Sequence, residues 1–498
     1  MTASVMLQGA GSNVGKSLLV AGLCRHFARQ GITVRPFKPQ NMSNNAAVTQ
    51  NGGEIGRAQA LQARACFAAP HTDMNPVLLK PQTETGAQII VNGAVFGTMK
   101  AREYGSRKAD LLPAVTAAYD RLSAGCDLVI IEGAGSPAEI NLRQGDIANM
   151  GFAEARDIPV IMIGDIDRGG VIASLVGTGV VLDVADQARI KGFVVNKFRG
   201  DTSLFHDGMK MIADATGWQA LGILPWFEAA RYLPAEDILD LSGKADTKVH
   251  AGAVKVAVPV KVAVPVLKRI ANFDDLDPLV SDPNIAVTLL EQGEPVPADT
   301  DLVLLCGSKA TIADMAYLHR MGWAADIAAH VRRGGHVMGL CGGYQMLGKT
   351  ISDPHGIEGP AGSIEGLGLL DISTILEGDK TVRLCTGHDV AGKLPLQGYE
   401  IHMGVTTGAD CARPLVCIDK DAGRAVGDGA VSANGLVAGT YMHGLFANDA
   451  WRQAYFASFG KQLDSHVFDD VIEQGLNDLA DHLAVHMDMT EFSRIAGL

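Results

Sequence analysis

Gly9-Ala10-Gly11-Ser12-Asn13-Val14-Gly15-Lys16-Ser17 is the stretch that decides the fold. The apolar run Val5–Gln8 leads into it as a strand, and Ser17–Gln30 follows as a helical pattern that stops at Gly31. A glycine-rich turn between a strand and a helix lets backbone N–H groups curl around phosphate oxygens, and the helix N-terminus adds partial positive charge. In such a turn Lys16 can bridge the β- and γ-phosphates, and the Ser17 hydroxyl can ligate Mg²⁺. The strict spacing wants glycine where Ala10 stands. Gly9 comes one residue early, so the loop is a variant with one extra residue. Gly11, Asn13, Val14, Gly15, Lys16 and Ser17 are the expected nucleotide-binding residues.

Working outward, Val34–Lys38, Leu128–Ile131, Val160–Gly164 and Gly192–Asn196 are continuous apolar runs, with helical patterns such as Leu111–Leu122 among them. Strands of that kind imply a parallel sheet covered on both faces. Ligands bind at the carboxyl ends of such strands, and polar residues gather there. Glu132 ends Asp127–Glu132 and can hold or orient Mg²⁺. Lys38, at the end of the second strand, opens the run Lys38-Pro39-Gln40-Asn41-Met42-Ser43-Asn44-Asn45, and Lys80 lies in the comparable Asn75–Pro81. A lysine there neutralises a substrate carboxylate or a phosphoryl group in transfer, so Lys38, Gln40, Asn41 and Lys80 are read as substrate or phosphoryl contacts. Gly164–Gly170 offers Arg168 for the same purpose, or is a rigid turn. Asn196 and Lys197, opening Asn196–Asp201, are placed beside the nucleotide base.

The composition excludes several functions. The chain has 498 residues, 47% hydrophobic and 19% charged, which rules out disorder. Lys+Arg 42 against Asp+Glu 55 leaves a net charge of −13, which argues against binding nucleic acid or an anionic membrane surface. Aromatics are only 5%, too few for a base-stacking surface. The eight cysteines form no C-x-x-C pair, so neither a structural zinc site nor a disulfide framework is expected. No apolar run reaches the ~20 residues of a membrane helix, and Met1–Ala10 has no leader pattern. A soluble, cytoplasmic protein is expected.

Residues 1–233 therefore read as one domain and 234–260 as a linker. The linker ends in a perfect duplication, since Lys255–Val260 and Lys261–Val266 are both KVAVPV. The second copy is expected to open the next domain, and the first to be poorly ordered. From 261 to 498 the α/β alternation resumes, with strands at Ala286–Leu290, Leu302–Leu305 and Val337–Leu340. Val337–Leu340 turns into a helix at Cys341-Gly342-Gly343. Glycines on both sides make this a nucleophile elbow, with an exposed thiol, a helix N-terminus favouring thiolate, and the Gly342 N–H available to an oxyanion. His443, in Gly439–Gly444, is the candidate base. Asp469–His486 has one apolar stripe and reads as a docking helix closing this domain.

These two sites, with the runs Lys38–Asn45, Gly56–Ala63, Glu132–Leu142, Gly164–Gly170, Asn196–Asp201, Ile270–Pro278 and Gly398–Gly404, resemble those of the cobyric acid synthase family, the glutamine-dependent amidotransferases of cobalamin synthesis. The similarity covers almost the whole chain. It implies a dethiobiotin-synthetase-like P-loop domain followed by a class I glutamine amidotransferase domain. It implies amidation of the b, d, e and g carboxylates of adenosylcobyrinic acid a,c-diamide through an acyl phosphate, with ATP, Mg²⁺ and L-glutamine consumed and ammonia released at Cys341. It also places the Gly307 N–H as a second oxyanion donor. Class I enzymes commonly carry Glu two residues after the histidine. Leu445 stands there, so another group must orient His443. Cys306 stands where the family shows proline. Two rival readings share parts of this pattern: a cobyrinic acid a,c-diamide synthase, and a partitioning or regulatory P-loop ATPase. The second has no use for Cys341 and His443.

Overall fold

β1 (Ala3–Gly9) is buried at every position, as a continuous apolar run at the centre of a parallel sheet must be. A computed structural model describes residues 2–82, 86–234, 259–420 and 424–498. In the first sheet β1 lies between Val160–Asp165 and Leu128–Glu132. Ile190–Phe198 and Gln219–Pro225 extend one side, and β2 (Val34–Phe37) closes the other. Every pairing is parallel, so the loop after β1, Glu132, Lys38 and Asn196 all emerge at one edge. α1 (Lys16–Arg29) and α2 (Arg57–Ala65) pack beside β2.

The second sheet runs Ile285–Leu290, Val260–Pro265, Leu302–Leu305, His336–Leu340, Val437–Thr440 and Ala430–Val431, parallel except for the last strand. The second KVAVPV copy thus forms its first strand, beginning at Val260. The expectation for the first copy falls mostly on residues 255–258, outside the described residues. An antiparallel sheet built on Thr381–Asp389 and Pro395–His402 pairs with Met442–His443 and brings Tyr399–His402 against the histidine.

The C-terminal helix corrects the expected domain division. Phe468–His486 packs on α1 in the first domain, where Phe468, Ile472, Leu476, Leu479 and Leu483 join the core of β1 and α1. Gly22 makes room for it, because a Cβ there would stand 2.5 Å from Leu483 and 2.8 Å from Leu479. Arg25 adds an ion pair to Glu473 at 2.7 Å, and Arg64 another at 2.8 Å. The apolar stripe showed that one face is buried. Its partner, some 450 residues away, is a matter of tertiary packing.

Candidate functional site

The loop after β1 owes its shape to two left-handed residues, Asn13 (φ 59°) and Gly15 (φ 97°). At Gly15 a side chain would also collide with Asn196, whose Nδ2 would lie 2.4 Å from the added Cβ. Asn196 donates to the Val14 carbonyl at 2.8 Å, and Lys197 donates to the Asn13 carbonyl and pairs with Asp165 at 3.0 Å. These residues brace the loop from the neighbouring strand. Lys16 reaches across the loop, donating to the Gly11 and Gly135 carbonyls at 3.3 and 3.2 Å.

Glu132 is the centre of this site. Its Oε1 accepts from Ser17 Oγ at 2.7 Å and from Lys38 Nζ at 2.8 Å, and its Oε2 from Gln62 at 2.6 Å and Gln59 at 3.3 Å. Burial alone would raise the Glu132 carboxyl, but the Lys38 ammonium and the hydrogen bonds from Lys38, Gln62 and Ser17 outweigh it and hold the carboxyl below its ordinary range. The Ser17 hydroxyl and the carboxylate make an all-oxygen donor pair, which suits a hard cation such as Mg²⁺ that draws its other ligands from phosphates and water. Asn41 donates to Gln59 at 2.9 Å, one step behind this centre. Gln40 accepts from Tyr104 at 2.5 Å. Arg168 is largely exposed and lies 3.7 Å from Asp165. Lys80 does not join the group. It is buried against Glu54 at 2.7 Å and faces the second domain.

The second site is built on the turn at Cys341. Its φ of 53° and ψ of −110° put a non-glycine residue in a strained conformation, held by the strand His336–Leu340 on one side and the helix Gly342–Met346 on the other. Cys341 is half-buried and lines a cavity with His443, Gly307, Ser308, Gly342 and Gln345. His443 is fully buried. Its Nδ1 lies 2.8 Å from Asp275 Oδ2, the other Asp275 oxygen accepts from the Gly444 N–H at 2.7 Å, and the ring stacks on Tyr399. Asp275 is therefore the orienting group that Leu445 cannot be. Burial would lower the His443 imidazole, but the hydrogen bond to Asp275 and the neighbouring Cys341 thiol prevail and push it up to about 10.

The oxyanion side needs one correction. Gly307-Ser308 pairs antiparallel with Ile270-Ala271, and Lys309 N donates to the Arg269 carbonyl at 2.8 Å. Hydrogen-bonded and non-bonded pairs alternate along such a ladder. The Gly307 N–H is thus turned toward Ala271, and the Ser308 N–H points away from that strand. Ser308 N would stand 2.7 Å from a Cβ on Gly342. The geometry favours Ser308 over Gly307 as the partner of the Gly342 N–H.

Residues 5–239 match the family described as the CobQ/CobB/MinD/ParA nucleotide binding domain, and residues 261–451 match the CobB/CobQ-like glutamine amidotransferase domain. The cobyric acid synthase of Methylobacterium nodulans is 58% identical over 488 residues, 98% of each chain. That of Ruegeria sp. is 56% identical over 491 residues, 99% of this chain and 98% of its own. That of Rhodobacter capsulatus is 54% identical over 499 residues, the full length of both. The chain belongs to the cobyric acid synthase family. As a member of the cobyric acid synthase family it is a glutamine-dependent, ATP-using amide ligase, and neither rival reading is favoured. Among the described residues no helix is long and apolar enough to cross a membrane.

In this cobyric acid synthase family member the two domains meet at a polar seam beside the Cys341 cavity. Arg57 of α2 pairs with Asp274 at 3.2 Å, and Tyr399 donates to the same carboxylate at 2.7 Å, one residue before Asp275. Glu54 of the first domain accepts from its own Lys80 and from Lys380 of the second. The Ala46 N–H donates to Asn272 at 3.4 Å, and Ala46, Val48, Leu78 and Ile90 pack with Tyr399 and Ile401. Lys80, Asn272 and Lys380 also line the Cys341 cavity. Five of the residues that matter here were not singled out by sequence: Asp275, Gln59, Gln62, Glu54 and Lys380. The glutamines left a signal of their own, since their i, i+3 spacing puts both amides on one helix face, and Asp275 lies within the run Ile270–Pro278 that carries the resemblance.

Proposed function

We propose that the chain amidates the b, d, e and g carboxylates of adenosylcobyrinic acid a,c-diamide, one ATP and one glutamine being consumed per amide. The observation that carries this reading is the shared wall, since the Cys341 cavity is lined both by the amidotransferase domain and by Lys80 of the nucleotide-binding domain. The pocket in which ammonia would be made is thus walled in part by the domain that would spend it.

On this reading Cys341 gives its proton to His443 Nε2, which among the described residues has no hydrogen-bond partner, and Sγ attacks the glutamine amide carbon. The developing oxyanion is met by the Gly342 and Ser308 N–H groups. His443 returns the proton to the leaving nitrogen, and water later cleaves the thioester to glutamate. Asp275 stabilises the imidazolium and fixes its orientation. In the other domain a corrinoid carboxylate oxygen attacks the γ-phosphorus, ADP leaves, and ammonia displaces phosphate from the acyl phosphate. Lys16 and Lys38 offset the phosphoryl charge, and Gln59 and Gln62 hold Glu132 in place. Ser17, with Glu132 behind it, would hold Mg²⁺, which supplies charge neutralisation to the phosphates. Asn196 and Lys197 line the nucleotide, and Gln40, Asn41 and Arg168 stand toward the corrinoid.

Mass spectrometry of the products tests the assignment. Four added amides on the a,c-diamide are expected. Two amides added to unamidated cobyrinic acid, with none on the a,c-diamide, would overturn it.

A further inference from the structure

One part of the lining of the Cys341 cavity is rich in charged groups. Lys80, Lys309, Lys380 and Glu358 line it, and Glu54 stands behind them, bonded to both Lys80 and Lys380. Three ammonium groups thus face two carboxylates. Glu54 accounts for two of the three. The third, Lys309, is only 7% exposed, and among the described residues its ammonium has neither a hydrogen bond nor an ion pair.

An unpartnered ammonium in a buried setting is unfavourable. Burial and the neighbouring Lys80 accordingly lower the pKa of Lys309, with Glu358, Glu54 and the Cys341 thiol acting in the opposite direction. Glu358 is the nearest candidate partner, yet it is not in ion-pair contact with Lys309 and instead accepts from the Thr311 N–H at 2.8 Å. The cavity therefore presents one cation and one acid, held apart, beside a nucleophilic thiol. A ligand that carries an anion and a cation on the same carbon, with an amide two methylenes further on, satisfies both.

We propose that Lys309 and Glu358 form a clamp for the α-carboxylate and the α-ammonium of glutamine, which makes the pocket specific for a free α-amino acid amide. This rests on the assignment of Cys341 as the glutaminase nucleophile. The clamp binds and orients; it takes no part in bond making. Lys80 and Glu54 of the nucleotide-binding domain, bonded to Lys380 of the amidotransferase domain, close the same wall, so the glutamine site is complete only when the two domains are in contact.

Ammonia release from three amides tests the clamp. 4-Aminobutanamide lacks the α-carboxylate, and glutaramic acid lacks the α-amine. The unsubstituted enzyme is expected to discriminate against each by about 100-fold in kcat/KM, the scale of a lost charged hydrogen bond in a pocket built for it. Lys309→Gln should lower kcat/KM for glutamine by a similar factor, mostly through KM, while 4-aminobutanamide loses nothing further. Glu358→Gln should do the same with glutaramic acid as the indifferent substrate. Lys309→Arg should recover much of the carboxylate discrimination. Equal hydrolysis of glutamine and 4-aminobutanamide by the unsubstituted enzyme would overturn the proposal without any variant. So would a Lys309→Gln enzyme that loses activity equally on both amides, because the lysine would then be acting on the thiolate. Thermal unfolding identifies a variant that fails to fold, in which case the analogue series on the unsubstituted enzyme and Lys309→Arg decide. Failure of the underlying reading is a separate result: ammonia release that persists in Cys341→Ala.

Discussion

Asp275 Oδ2 lies 2.8 Å from His443 Nδ1, across 168 residues of chain. The pair takes the place of the Glu two residues after the histidine, where Leu445 stands. The same carboxylate also accepts from the Gly444 N–H, so it fixes both the ring and the backbone that carries it. Asp275→Asn keeps the shape but lets the ring take the wrong tautomer, and a loss of roughly 10³–10⁴ in glutaminase kcat is expected. Synthesis from added ammonia should survive, because it bypasses the thiol. Glutaminase kinetics beside ammonia-supported synthesis check this, and a loss under tenfold would mean that the histidine is oriented by something else.

Two further substitutions separate the half-reactions. Cys341→Ala should abolish the use of glutamine and leave synthesis from added ammonia. Lys16→Ala, which removes the cation spanning the loop, should stop synthesis from either nitrogen source. Product formation with glutamine and with ammonium salts reads both variants. Loss of ammonia-supported synthesis in Cys341→Ala would show that the thiol does more than release nitrogen.

The legible parts of this molecule were local ones. The turn at Gly9–Ser17 and the elbow at Cys341 each combine strand, turn and helix within about ten residues, and backbone geometry forces their glycines. Ser17, Lys38 and Glu132 were legible because a parallel sheet delivers strand ends to one edge. Lys80 looked equivalent to Lys38 by the same argument, but its strand, Val77–Pro81, belongs to a small separate sheet and turns toward the other domain. Asp275 was hidden by distance in sequence, and Gly307 by ladder phase, which a two-residue strand does not reveal. In each case the missing information was which surface packs on which.

The C-terminal helix gives a stability test of that packing. Leu479 is 2% exposed and sits against Gly22. Leu479→Ala should cost about 2–5 kcal/mol, and the loss should appear in the nucleotide-binding domain. Thermal unfolding followed with and without ATP checks this. An unchanged transition for that domain would mean the helix contributes nothing to its core.

Glu54 supplies a pH signature for the domain seam. Burial would raise its carboxyl, but Lys80 and Lys380 hold it down at about 2, against an ordinary value of 4.5. The folded state thus binds fewer protons than the unfolded chain between those values, so this carboxylate stabilises the fold above pH 4.5, and its contribution is lost as the pH falls toward 2. The difference corresponds to about 3 kcal/mol. Glu54→Gln removes that dependence and leaves two buried ammonium groups without their anion. The variant should therefore be less stable at pH 7, where the carboxylate acts in full, and its unfolding midpoint should fall less steeply as the pH drops below 4.5. Urea unfolding midpoints measured from pH 7 to 3.5 compare the two. Parallel curves would show that the Lys80–Glu54–Lys380 contact does not hold the domains together.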